Sequence, residues 1–435
     1  MTAPGAAGGQ VASSAGHGLR AEHPCPQCGG GVVIDETDRL LACPYCRVRL
    51  YMVPESGAYH FYLPPKAAAP GDLVFAPYWR IRGPAFTCGL DAIEHRVIDA
   101  TIRAVDLTPL PTTLGVRPQA MKLKFALPET KGTFLAPSVE FPATVRAIAS
   151  ACGHADEEAE GTEILHEGFL AATASVVYLP LRIREDGAVF DTVREERIGT
   201  LASPANGPGG MGAVDPAPAL GIRFLPTLCP ECGWDMAAAR DSLVLLCANC
   251  SSAWEAHGGE LRRTDCSVMR VEWQPQIHLP FWRIRARATG MTLASYGDVA
   301  RLANLPVVVE SAWNKEDLWM WTPAFKVHSE HFLRLAKTMT IRRPGKGETI
   351  DSGVPKGDCH PVNVPAASGA ESLKLIVADL ANPKRAFFPR LPGIAIAGIE
   401  SQLVYVPFQA AGSEWTHPGQ PISIMRTLLE FGRNL

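Results

Sequence analysis

No run of apolar residues in this chain approaches the 18 or more that a membrane-spanning helix requires, so nothing in it reads as a membrane span. Excess charge of one sign is missing too. Lys and Arg number 41 against 44 Asp and Glu, a formal net charge of -3, so no global basic field draws the protein to nucleic acid or an anionic membrane. Catalytic fingerprints are equally scarce. Gly345-Lys346-Gly347 lacks the preceding glycine at Walker A spacing, and neither a dinucleotide fingerprint nor a nucleophile elbow occurs. His328-x2-His331 beside Glu330 lacks the histidines at i and i+4 of a zincin helix. Cys152-x-His154 and Cys359-His360 are near neighbours in sequence whose side chains seldom converge from one loop. The start of the chain, Met1 to Gly18, has neither a basic nor a hydrophobic segment and reads as a disordered tail instead of a signal peptide. Long helices are disfavoured by 37 prolines spread through 435 residues.

What the chain does have is cysteine in a repeated spacing. Eight of the 12 cysteines form Cys25-x2-Cys28-x14-Cys43-x2-Cys46 and Cys229-x2-Cys232-x14-Cys247-x2-Cys250, offset by 204 residues at every position. A two-residue gap lets one tight turn present two thiolates, and two such knuckles complete a tetrahedral four-thiolate site, closed to water and substrate. Between the knuckles the sequence predicts a short hairpin: Val32 to Ile34 as a strand, Asp35 to Asp38 as a turn, and Leu40 and Leu41 returning. In the second copy Arg240 to Ser242 make the turn and Leu243 to Leu246 the returning strand. This arrangement resembles the zinc-ribbon family over about 40 residues per copy. The resemblance implies one zinc per module, two per chain, held by those eight cysteines. Rubredoxin-like proteins hold iron on similar knuckles, usually with a longer separation, so iron stays open as the alternative. Glycine follows the first knuckle of each copy, but Arg47 and Ser251 follow the second. Retained thiolates point to a reducing compartment, with the cytoplasm as default.

The repetition extends past the cysteines. Tyr78-Trp79-Arg80-Ile81-Arg82 returns as Phe281-Trp282-Arg283-Ile284-Arg285, Ala120-Met121-Lys122-Leu123 as Ala324-Phe325-Lys326-Val327, and Val177-Tyr178-Leu179-Pro180 as Val404-Tyr405-Val406-Pro407. A unit of about 200 residues is too long for a solenoid and implies two homologous lobes. The expected division is a tail at 1–20, a first cysteine module at 21–66, a β-rich domain at 67–200, a Pro/Gly/Ala linker at 201–222, a second module at 223–264 and a second β-rich domain at 265–435. Alternating patterns make the fold class mainly β, a β-rich α+β, with mainly antiparallel sheets. Trp79 and Trp282 are expected on the inward face, with Arg80, Arg82, Arg283 and Arg285 outward. A hairpin turns at Glu185-Asp186-Gly187. Helices are expected at Tyr296 to Leu302 and around Phe332, Leu335, Ala336 and Met339, with Ser329 as N-cap.

Outside the cysteines, the candidate contacts are arginines and tryptophans. Arg80 and Arg82, with Arg283, Arg285 and Arg287, form a basic stripe suited to an anion, with an acid-paired sheet face as the plainer reading. Eight of nine tryptophans fall in the second half, among them Trp313, Trp319 and Trp321. Trp is enriched where partners bind, although the alternation of Trp319 and Trp321 also suits a buried face. Trp313, Trp319, Trp321, Arg283 and Arg285 are therefore the candidate partner-binding residues. The reading that fits best is a non-enzymatic scaffold or assembly factor binding a protein partner. A nucleic-acid-associated factor and an accessory subunit of an enzyme or redox complex are the alternatives.

Overall fold

The computed structural model describes residues 18–66, 73–141, 163–170, 173–201, 220–344 and 349–432. The expected tail to residue 17, most of the linker, Cys152, His154 and Gly345-Lys346-Gly347 lie outside them. Among the described residues the protein is mainly β, and no helix is long and apolar enough to cross a membrane.

The first lobe contains β1 (Arg20–Pro24), β2 (Gly31–Asp35), β3 (Leu40–Ala42), β4 (Arg49–Pro54), β5 (Tyr59–Tyr62), β6 (Val74–Cys88), β7 (Ile93–Arg103), β8 (Lys122–Phe125), β9 (Thr133–Phe134), β10 (His166–Phe169), β11 (Thr173–Ile183), β12 (Ala188–Asp191) and β13 (Glu196–Thr200). Its main sheet runs β10-β6-β11-β5-β8-β1-β2, with β7 on β6 and a β11-β12-β13 meander. The turn into β12 carries Gly187 at φ 78°, as the Asp-Gly signal requires. Tyr78, Phe61, Val177 and Leu179 fill the core beneath the sheet.

In the first module the expected hairpin between the knuckles does not form, whereas in the second Ala237 and Leu246 exchange backbone hydrogen bonds across the expected turn as a single bridge. β2 pairs with β1, and β3 pairs with β4, so each hairpin closes around a knuckle instead of between two. The alternation of β2 explains its half of this: Val32 and Ile34 turn inward onto the lobe's core with Leu19 and Ala21. Only β3 and β4 turn away from the main sheet.

The second lobe adds β14 (Ile222–Pro226), β15 (Val244–Cys247), β16 (Ser252–His257), β17 (Glu260–Thr264), β18 (Cys266–Met269), β19 (Ile277–Thr289), β20 (Trp319–Pro323), β21 (Ile350–Ser352), β22 (Ala395–Ala411), β23 (Glu414–His417) and β24 (Ile422–Met425). Its main sheet runs β20-β19-β22-β18-β21, with a β22-β23-β24 meander. The strand order matches that of the first lobe. β6 and β11 are antiparallel and β11 and β5 parallel; β19, β22 and β18 repeat both relations. The match fails for one of the repeated motifs. Leu123 lies in β8 beside β5, but β21 takes that place beside β18, and Ala324–Val327 lead instead from β20 towards the next helix.

Helices cover the second sheet. Tyr296–Leu302 begins with a capping box between Ser295 and Asp298. The helix Ser329–Arg342 buries Phe332, Leu335, Ala336 and Met339, but Ser329 is its first residue and is itself buried, and the cap position, His328, makes no side-chain cap bond. The core of this lobe is continuous with Phe86, Cys88, Leu165 and Leu170 of the first, so the two lobes meet through apolar side chains.

Candidate functional site

Each set of four cysteines converges at the tips of two hairpins. In the first, Cys25 and Cys46 Sγ lie 3.7 Å apart and Cys28 and Cys43 3.6 Å. In the second, Cys229 and Cys250 are 3.6 Å apart and Cys232 and Cys247 3.5 Å. A metal–sulfur bond of about 2.3 Å in a tetrahedron puts sulfurs about 3.8 Å apart, so both groups fit a four-thiolate ion. All the sulfurs of each group lie within 4.8 Å of one another. Each group could hold a metal ion with every coordination position supplied by protein.

The knuckle backbone shows how the sequence achieves this. Cys25 N–H donates to Gly30 O and Gly29 N–H to Cys25 O, both at 2.8 Å, and Cys229 and Gly233 repeat the pattern with Trp234 O and Cys229 O. The residue after each knuckle is left-handed in all four cases: Gly29 at φ 74°, Gly233 at 72°, Arg47 at 61° and Ser251 at 56°. The two positions without glycine therefore adopt the same turn, at a steric cost that glycine avoids.

Around the sulfurs the two centres differ. Trp254 Nε1–H donates to Ser252 Oγ at 2.8 Å, and Ser252 Oγ lies 3.0 Å from Cys250 Sγ, placing its hydroxyl to donate to that sulfur. The residue at the corresponding place in the first centre is Val48, which has no hydroxyl. Nothing in the sequence marks Ser252, because a serine two residues after a cysteine carries no signal.

The modules are joined strand to strand. β14, which leads into Cys229, pairs antiparallel with β4, which leaves Cys46, over five residues. Tyr51 OH lies 3.2 Å from both Ser242 O and Leu243 O, and Arg39 and Leu40 amides both donate to Arg240 O. Arg240 pairs with Asp38, whose carboxyl burial pushes up to about 6 against the pull of that arginine. Leu40 and Tyr51 of the first module share one buried cluster with Cys229, Met236, Leu245, Cys247 and Trp254 of the second.

The arginine stripe divides between the lobes. In the first, the arginines do not face outward as expected: Arg80 is 0% exposed, while Trp79 on the other face is half-buried beside Ile81, its indole donating to Val139 O. Arg80 Nε and Nη2 make a paired contact with Glu36 at 3.1 and 3.2 Å, and Arg80 also bonds Asp99. Arg82 shares Glu36 at 3.3 Å. Both faces of β6 are covered, so its arginines enter the protein with their carboxylates.

In the second lobe Trp282 is inward as expected, while Arg283 and Arg285 are half-buried instead of fully outward. Arg285 pairs with Glu400 at 2.9 Å. Arg283 lies 4.4 Å over the ring of Trp319. Arg283, Trp319 and Trp321 line one cavity of about 250 Å³ with Tyr296, Glu316 and Arg343. The five candidate partner residues thus fare differently. Trp321 is 2% exposed and belongs to the core, the alternative its alternation allowed. Trp313 is half-buried against Tyr296, and Trp319 is half-buried at the cavity. Tyr296 and Arg343, which stack on each other at 3.3 Å, reach the cavity from distant segments and gave no sequence signal.

No family model matches the chain, and no curated protein or solved structure matches it.

Proposed function

We propose that this chain is a zinc-stabilised, non-enzymatic interaction scaffold of the cytoplasm, carrying two zinc ions and binding a protein partner mainly through its second lobe. The observation that carries the reading is the closed four-sulfur geometry of both centres. With four protein thiolates, an ion has no open position for catalysis and acts as a structural clamp. The shared strand order of the lobes supports descent from an internal duplication, after which the second lobe acquired its aromatic cavity.

Nucleic-acid binding loses its best support, because Arg80 and Arg82 are committed to Glu36 and Asp99. Elemental analysis of purified protein is expected to give two zinc per chain; iron at either centre would move the reading towards a redox subunit. Affinity purification from the native host, with identification of co-purifying proteins, tests the scaffold. Robust turnover by the isolated chain would overturn it.

A further inference from the structure

The two lobes place the same pair of arginines in the same sheet and treat them differently. Arg80 on β6 stands opposite Thr101 of β7 and Ser175 of β11; Arg283 on β19 stands opposite Trp321 of β20 and Gln402 of β22. In the first lobe two arginines meet two carboxylates, Glu36 and Asp99. Neither carboxylate exists at the matching place in the second. The residue 204 positions after Glu36 is Arg240, and the residue facing Arg285 where Asp99 faces Arg82 is Trp319. Glu400 replaces one of them and is held by Arg285, while Glu316 is held by Arg343 at 2.6 Å. Among the described residues Arg283 forms no ion pair and donates no hydrogen bond to the protein.

From this we infer that Arg283 is the receptor for a carboxylate supplied from outside, on an acidic peptide segment of the protein partner. The inference rests on the scaffold reading and gives that partner its chemistry. The first lobe shows what the position takes when it is satisfied: a carboxylate bound by two guanidinium nitrogens. Arg283 rests 4.4 Å over the Trp319 ring at the cavity wall, a contact that restrains its side chain before any ligand arrives. Burial holds its pKa below the ordinary arginine value, and the more distant Glu400 and Glu316 only partly offset this. Glu316 and the exposed Asp317 also line the cavity. Their charges weigh more against the closely spaced phosphates of nucleic acid than against glutamates spaced along a peptide.

The test uses the full zinc-loaded chain and a fluorescein-labelled 12-residue peptide of alternating glutamate and serine, followed by anisotropy. Its glutamine counterpart and a 12-nucleotide single strand are the comparisons. The glutamate peptide is expected to bind at least tenfold more tightly than either. Arg283→Gln should lose at least tenfold. Gln402→Glu, nearly isosteric and directly across from Arg283, should lose as much by supplying the carboxylate internally. Arg262→Gln, an exposed arginine on β17, should bind as the parent does. Zinc content and thermal midpoint confirm folding, and Arg283→Lys replaces any glutamine variant that fails to fold, with the same loss expected because lysine lacks the paired donors. Equal binding of the two peptides, undiminished binding by Gln402→Glu, or tighter binding of the oligonucleotide overturns the assignment. A host partner that stays bound to Arg283→Gln would do so as well, while leaving the scaffold reading intact.

Discussion

Removing one metal centre should weaken the other, because the second module's core is completed by side chains of the first. The perturbation is Cys229→Ser with Cys232→Ser, which leaves the second centre two ligands and melts its knuckles. Leu40 and Tyr51, 4% and 3% exposed, then lose the cover of Met236, Leu245 and Trp254. Fully burying two such side chains is worth about 3–6 kcal/mol together. Part of their contact lies within the first module, so the lower end, about 3 kcal/mol, is the appropriate figure. That energy was holding β3 and β4 in place, and it corresponds to about a hundredfold in metal affinity at Cys25, Cys28, Cys43 and Cys46. Competition with a chromophoric chelator measures this directly, with Cys25→Ser/Cys28→Ser as the reciprocal variant. A first centre that keeps its parental affinity to within about threefold would refute the argument, since such a difference is under 1 kcal/mol.

Other expectations follow from single side chains. Arg47→Gly and Ser251→Gly relieve left-handed backbone at residues with a Cβ, so each should raise stability by about 1 kcal/mol in zinc-loaded chemical denaturation, where no gain would show the turns to be unstrained. Glu36→Gln leaves Arg80 buried with Asp99 as its remaining carboxylate and should cost about 3 kcal/mol, the lower end for a broken buried pair, whereas a loss under about 1 kcal/mol would mean Asp99 alone satisfies the arginine. Asp38, with its folded pKa raised to about 6, holds a proton in the folded state that the unfolded chain has already released. Stability from this group is therefore present below its ordinary pKa near 4, falls as pH rises towards 6, and stays flat above. Between pH 5 and 7 it should contribute about 1 kcal/mol of that decline, and Asp38→Asn should abolish it; an unchanged slope in the variant would reassign the effect.

The two four-cysteine groups were fully legible because thiolate chemistry forces its spacing into the sequence: two tight turns, each presenting a pair such as Cys25 and Cys28, bring four sulfurs to one point. Strand content and the shared β6 and β19 motif were legible for a similar reason, since a period of two is imposed by the pleat. What the pattern could not tell was which strand pairs with which. β2 and β3 look like one hairpin in sequence, but the inward set of Val32 and Ile34 is claimed by the main sheet through β1, and that preference depends on β8, which flanks β1 from far away in the chain. The arginines illustrate the same limit. Alternation places Arg80 and Arg283 identically, and only the tertiary position of Glu36 decides that one is buried and satisfied while the other faces a cavity. Trp321 was ambiguous because burial of a tryptophan depends on what covers it, here the helix Ser329–Arg342, whose Thr340 hydroxyl accepts the Trp321 amide.

The hydroxyl of Ser252 makes the two centres chemically unequal as well as structurally coupled. A sulfur that accepts a hydrogen bond has less free electron density to offer an electrophile, and Cys250 has that bond at 3.0 Å while Cys46 is exposed and faces no serine. Peroxide or an alkylating agent will therefore meet the first centre as the softer target. Because the modules share a strand pair, damage there propagates: the vulnerable clamp is also the one that supplies Leu40 and Tyr51 to its better-protected neighbour. Oxidative ageing of this protein should then follow a fixed order, with the N-terminal ion leaving first and the second following from lost packing before its own thiolates are touched.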